Sequence, residues 1–168
     1  MEKYIPKNPD TWIPKELFAV YCGDKSEALL KYYDKARDKK NALTMRLNWF
    51  ALLVLPAWFG YRRQWTLWGT FTGLFVLLPF VELGFGFEVP IGAFGGTGLA
   101  MGLMADGLLL SNANTVYRKL RNKGLDDAAV RAALADRAKP SPGSAFAGGL
   151  GALGLIAGAV FLAETLLG

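Results

Sequence analysis

Residues 65–83 read WTLWGTFTGLFVLLPFVEL, a run of nineteen whose only charge, Glu82, lies near its far end. An α-helix needs roughly 20 apolar residues to cross a hydrocarbon core about 30 Å thick, and this stretch meets that length. Two more do the same: Ile91–Leu110, of 20 residues, and Ala145–Ala163, of 19. Basic residues flank all three. Arg62 and Arg63 precede the first, Arg118, Lys119, Arg121 and Lys123 follow the second, and Lys139 precedes the third. The pattern predicts an all-α integral membrane protein with three transmembrane helices.

A fourth apolar stretch, Leu47–Gly60, has only 14 residues and would be roughly 21 Å long as a helix. It is also interrupted by Pro56. Arg46 stands before it and Arg62-Arg63 after it, so a crossing would leave one basic cluster outside, against the positive-inside tendency. A short re-entrant or interfacial helix returns both clusters to the cytoplasm. Trp49, Trp58, Tyr61, Trp65 and Trp68 suit that depth because their rings are amphipathic.

The topology follows from the flanks. Residues 1–46 hold ten Lys/Arg against seven Asp/Glu, and residues 111–144 hold seven Lys/Arg against three Asp. The loop Gly84–Pro90 holds Glu88 and no base, and Glu164 is the only charge after the last span. This places the N-terminus in the cytoplasm and the C-terminus in the periplasm. The chain divides into a cytoplasmic arm and amphipathic helix (1–46), a membrane domain (47–118, with the re-entrant piece 47–60 and spans 65–83 and 91–110), a cytoplasmic loop with a short helix (119–144), and the third span with the C-terminus (145–168).

Within the arm, Met1 to Pro14 carries three prolines and reads as irregular. Asp24-Lys25-Ser26-Glu27 has the form of a capping box, opening a helix that runs to about Ala42. Ala28, Leu29, Tyr32 and Ala36 make one apolar stripe on it, which suits a membrane surface or a partner helix. Glu27 and Lys31 form a favourable i, i+4 pair. In the later loop, Asp126 is a fair N-cap and the Asp126-Asp127 pair suits a helix N-terminus. That helix ends near Ala138, before Pro140-Ser141-Pro142-Gly143. Val130, Ala133 and Leu134 give it a weak apolar face, expected to pack on the membrane domain.

Composition narrows the chemistry. Across 168 residues there is no histidine and one cysteine, and the net charge is +5. The lack of histidine removes the commonest general base and metal ligand and any Ser/His/Asp or Cys/His arrangement. Cys22 alone makes no internal disulfide and reads as a half-buried structural thiol. The basic residues sit beside the apolar segments, as membrane anchors do, and not on an aromatic-interleaved face that would bind nucleic acid. No apolar core of a cleavable signal peptide occurs in the first 46 residues, so none is expected.

Several stretches follow one another in a familiar order: Phe18-Ala19-Val20-Tyr21-Cys22-Gly23, Tyr32-Tyr33, Asn48-Trp49-Phe50-Ala51, and Pro56-Ala57-Trp58-Phe59-Gly60-Tyr61-Arg62-Arg63. Asn114, Thr115, Val116 and Tyr117 close the second long helix. In these residues the chain resembles the bacterial "domain of unknown function 2628" family of small inner-membrane proteins, over about two thirds of its length and without the third span. The resemblance implies a bacterial inner-membrane location and supplies no activity, so no catalytic residue is carried over.

Three sets of residues stand out. Asp106 falls within the second span, where a carboxylate costs on the order of 2.5–3.5 kcal/mol at a helix centre and less near the ends. No second acid or base is expected at its depth, so it reads as reaching interfacial water or bonding Ser111 or an indole. Gly92/Gly96, Gly98/Gly102 and Gly154/Gly158 make small-xxx-small pairs, and Gly148, Gly149 and Gly151 extend the last series. In lipid such faces let backbones approach closely, here between the second and third spans and onto another subunit. Asn48, Asn112 and Asn114 lie at the inner boundary beside Trp49 and Tyr117, and are expected to bond exposed backbone of the re-entrant piece.

The sequence thus points to a non-enzymatic membrane protein with no metal and no cofactor beyond bound lipid. The role expected is that of an accessory or scaffold subunit of a larger integral membrane complex. The alternative is a homo-oligomeric transporter or channel component with Asp106 as its intramembrane polar site.

Overall fold

A computed structural model describes residues 9–23, 26–53, 55–86, 91–138 and 141–167. Among them every regular element is helical: a 3-10 turn at Pro9–Thr11, then α1 (Lys15–Cys22), α2 (Glu27–Asp38), α3 (Trp49–Leu53), α4 (Leu55–Tyr61), α5 (Trp65–Phe85), α6 (Ile91–Asn122), α7 (Asp127–Ala138) and α8 (Pro142–Leu167). The chain divides into two compact units. One comprises Met1–Asn48 with Gly102–Lys139, the other Trp49–Met101 with Pro140–Gly168. The second predicted span therefore opens a single 32-residue helix, α6, whose later part belongs with the N-terminal arm.

The first unit is built around aromatic side chains. Trp12, Ile13, Phe18, Tyr21, Tyr32, Tyr33 and Ala36 are buried with Leu109, Leu110, Ala113, Val130 and Leu134. Phe18 and Trp12 both meet Tyr33, with ring centroids 5.4 and 6.1 Å apart. The irregular arm is fixed by side chains far along the chain. Asn114 Oδ1 accepts from Ile13 N–H at 2.7 Å, and Tyr33 O–H donates to the Ile13 carbonyl at 2.8 Å. Both polar groups of a fully buried backbone unit are thereby satisfied, as burial requires.

The helix in the later loop has the bounds and the cap read from sequence: Asp126 Oδ1 accepts from Ala129 N–H at 2.7 Å, the bond an N-cap makes to the third helical residue. It packs on α1, and its Val130 and Leu134 are buried. Phe18, Tyr21 and Cys22 bury a face of α1 that receives them. The α2 stripe is likewise used inside this unit. Leu29, Tyr32, Tyr33 and Ala36 are buried, while Ala28 is exposed. Helix α2 spans Glu27–Asp38, shorter than predicted, and the Glu27–Lys31 pair forms at 2.7 Å between highly exposed groups, where such a pair contributes little. Asp24 and Lys25 of the predicted capping box lie outside the described residues.

Two helices end on a left-handed residue that is not glycine. After α2, Lys40 (φ 50°) lets Asn41 N–H reach the Ala36 carbonyl; after α4, Arg63 (φ 50°) lets Gln64 N–H reach the Phe59 carbonyl. Both are Schellman turns. A cation at this place also faces the negative end of the helix dipole.

The second unit holds α3, α4, α5, the start of α6, and α8. Helix α5 has 21 residues and α8 has 26, about 32 and 39 Å at 1.5 Å per residue. Both are long and apolar enough to cross a membrane, and only 6 % of the apolar window of α5 and 17 % of that of α8 is buried. Leu74, Leu77, Leu153, Phe161 and Leu166 are among the large side chains they expose. A core helix of a water-soluble domain would cover such surface; these helices turn it outward, which is compatible with membrane association.

The predicted short piece 47–60 is helical on both sides of residue 54, which lies outside the described residues, as α3 and α4. Trp58 is a core residue, 3 % exposed, and does not face an interface as its type suggested; Trp49 and Trp65 are exposed. Trp58 meets Phe59 edge-on, and Phe59 stacks on Phe71 of α5 with centroids 5.5 Å apart. This aromatic contact fixes α4 against α5.

Candidate functional site

Two features of the chain bear on function: the surroundings of Asp106, and the division of the glycines on α8.

Residues 44–48 run without helix beside α6. Arg46 N–H donates to the Leu103 carbonyl at 3.1 Å and Asn48 N–H to that of Gly102 at 2.9 Å. In extended chain, residues two apart point the same way, so the Arg46 and Asn48 side chains both reach Asp106. Asn48 Nδ2 donates to Asp106 Oδ1 at 2.9 Å, and Arg46 Nη1 lies 3.2 Å from Oδ2. Arg46 Nη1 also donates to the Ala28 carbonyl of α2 at 2.6 Å. Asp106 is 1 % exposed. The expectation that no base stands at its depth is overturned. Its partner is Arg46, 60 positions earlier.

The same place is closed by Tyr32 and Gly107. Tyr32 O–H donates to the Ala42 carbonyl at 2.7 Å. A β-carbon at Gly107 would lie 2.8 Å from the Ala42 carbonyl oxygen and 2.9 Å from the Tyr32 hydroxyl, so only glycine leaves room. Burial pushes the Tyr32 hydroxyl well above its usual range; the Asp106 carboxylate adds to the shift and Arg46 opposes it. The cluster is therefore an ion pair inside a cage of backbone carbonyls, tyrosine and amide. Both carboxylate oxygens are engaged by protein.

The other predicted polar residues serve the arm. Asn112 Nδ2 donates to the Tyr21 hydroxyl at 3.1 Å, and Asn114 holds Ile13, as described. Asn114 does bond buried backbone, but in the N-terminal arm and not in the piece 47–60. Tyr117 is half-buried near the end of α6.

The glycines of α8 fall into two groups. Gly148 meets Gly60 and the Pro56 carbonyl of α4, Gly149 meets Ala57, and Gly151 meets Trp68. Trp68 Nε1 donates to the Gly148 carbonyl at 2.9 Å. So this close approach falls between α8 and α4/α5. Pro56 and Gly60 meet α8 at Gly148 and Ser144 respectively, so α4 runs antiparallel to α8. Gly154 and Gly158 meet nothing within 4 Å. On α6, Gly98 lies near the Leu52 carbonyl, Gly96 is open and Gly102 is buried; the surroundings of Gly92 lie outside the described residues. Gly60 and Gly107, which permit the tightest contacts, form no Gly-xxx-Gly pair and were not singled out by sequence.

Among known proteins, no family model matches the chain, and neither a curated protein nor a solved structure matches it.

Proposed function

We propose that this chain is a non-enzymatic, multi-pass protein of a bacterial inner membrane that serves as an accessory or scaffold subunit of a larger integral membrane complex. The observation that carries the reading is the open face of α8 at Gly154 and Gly158. Glycine costs a helix about 1 kcal/mol relative to alanine, and in lipid that cost is offset where a second backbone packs on it. The chain itself uses Gly148, Gly149 and Gly151 in this way and leaves the next two glycines bare.

A three-span arrangement is part of the proposal. Ser141 N–H donates to the Tyr61 carbonyl and Trp68 bonds Gly148, so α5 and α8 begin side by side. Two spans that start at one face need a return crossing between them, and on this reading α6, which follows α5 in the chain, supplies it. On this reading α4 is the outgoing limb of a re-entrant piece, ending at Arg62-Arg63 on the cytoplasmic face, and the C-terminus is periplasmic. The transporter alternative draws its polar handle from Asp106. That carboxylate is held by Arg46 and Asn48, which favours a structural role for it.

Purification of the tagged full chain in mild detergent tests the proposal. A stoichiometric larger membrane protein should co-elute, and Gly154→Leu with Gly158→Leu should release it while the variant still inserts at normal level. An unchanged pull-down yield from that variant, or elution as a homo-oligomer alone, contradicts the scaffold reading.

A further inference from the structure

The outer side of the α4/α8 contact carries a groove of about 420 Å³, open along one side and lined by Ala57, Tyr61, Phe146, Gly149, Leu150 and Leu153 among others. Its walls are almost wholly apolar. Gly149 forms the floor, its missing side chain leaving Ala57 of α4 within van der Waals reach. One end of this apolar groove is charged. Tyr61 lines it, and the Arg62 guanidinium sits over the Tyr61 ring, 5.7 Å from its centroid; the exposed Arg63 follows in the turn. An apolar slot that ends beside the Arg62 guanidinium, with a second arginine next in the chain, is complementary to one kind of molecule, an amphiphile with a long hydrocarbon tail and an anionic head.

We propose that the α4/α8 groove is a binding site for one anionic phospholipid, its acyl chain along Phe146, Leu150 and Leu153 and its phosphate at Arg62 and Arg63. The inference shares with the proposed function only the membrane placement. On the α8 wheel, at about 100° per residue, Leu150 lies about 40° from Gly154, while Phe146, Leu153 and Gly149 lie about 80–140° from it, so the lipid groove adjoins the Gly154/Gly158 face and Gly149 sits on its far side. Arginine suits the head because its planar fork bonds phosphate oxygens in pairs and is less strongly hydrated than lysine's ammonium. A zwitterionic head offers the same phosphate but cancels its charge with a cation, so the site discriminates by net charge.

Native mass spectrometry of the detergent-purified full chain tests this, with phosphatidylglycerol and phosphatidylcholine of identical acyl chains added in competition. The wild type should retain one phosphatidylglycerol per chain, with a preference on the order of tenfold. Arg62→Gln with Arg63→Gln should bring the preference close to unity, and Arg62→Lys with Arg63→Lys should restore most of it. Gly149→Leu fills the floor and should lose both lipids while the Gly154/Gly158 pull-down is unaffected. The proposal is overturned by equal retention of the two lipids by the wild type, by a preference that survives the glutamine pair, or by a Gly149→Leu protein that binds lipid as the wild type does. It is equally overturned if the groove variants change the subunit count in place of the lipid adduct, since the occupant is then a second copy. Melting curves of each variant separate a lost site from a lost fold, and the surface glutamine pair decides if Gly149→Leu does not fold.

Discussion

Gly60 on α4 and Gly148 on α8 pack backbone to backbone: a β-carbon placed on either residue would lie 3.1–3.2 Å from the other's Cα. The pair sets how closely the short helix can approach the long one. It also brings the Trp68 indole within reach of the Gly148 carbonyl.

Gly60→Ala should therefore lower the thermal stability of the protein in detergent, by about 2 kcal/mol, as over-packing of a close contact does. The added methyl would overlap the Ser144 carbonyl, a backbone atom that no rotamer change can move. Gly154→Ala is the matched comparison. It meets open space and should be neutral or stabilising by up to about 1 kcal/mol from helix propensity. Equal melting shifts for the two variants would refute the packing assigned to Gly60.

The Arg46–Asp106 pair makes an asymmetric prediction. Arg46→Met leaves a carboxylate at 1 % exposure with only Asn48 beside it. The loss should be about 2 kcal/mol, below the roughly 3–5 kcal/mol of a fully buried pair because the Arg46 side chain keeps contact with water. Asp106→Asn still accepts from Asn48 and leaves a guanidinium bonded to the Ala28 carbonyl, so about 1 kcal/mol is expected. Chemical denaturation of both variants checks the order; Asp106→Asn proving the more harmful would show that the arginine is not what the carboxylate depends on.

Alkaline stability reports on Tyr32 and Tyr33. Burial raises both hydroxyls above the ordinary value of 10.0. Above pH 10 the unfolded chain therefore loses protons that the folded chain keeps, and the unfolded state is favoured. The stabilisation is complete below pH 10 and declines as pH rises through the range between the unfolded and the raised folded values, by about 1.4 kcal/mol per pH unit for each tyrosine. Tyr32→Phe should remove one proton from that slope while weakening the protein at neutral pH through the lost bond to Ala42. Melting temperatures across pH 9 to 12, read with tyrosinate absorbance, measure it. A slope unchanged by Tyr32→Phe would mean that this hydroxyl ionises equally in both states.

What sequence conveys here depends on distance along the chain. The apolar windows of α5 and α8 and the Asp126 cap of α7 are properties of contiguous residues, and each is found near where periodicity and capping chemistry put it. The capping partner of Asp126 is three residues away, so the signal is local. Arg46 reads as a membrane flank because nothing near it shows that an extended segment will carry it to a carboxylate 60 residues later. Gly60 and Gly107 fail for the same reason. Neither has a glycine four residues away, and the need for a bare backbone comes from Ser144 in one case and from Ala42 and Tyr32 in the other. The stripe of α2 was legible as a stripe, but whether it faced lipid, a partner or its own chain was decided by residues the window does not contain.

The bond from Ile13 to Asn114 spans 101 positions, and it has a temporal meaning. At roughly 5–20 residues per second, a ribosome needs several seconds to make the second half of the unit after the first has emerged. In that interval Phe18, Tyr32 and Tyr33 have no α6 to cover them, and the apolar helix α5 is already leaving the exit tunnel. The N-terminal unit thus completes its fold only after α5 has been made, so slow translation between residues 48 and 102 prolongs exposure of its aromatic core to chaperones and proteases.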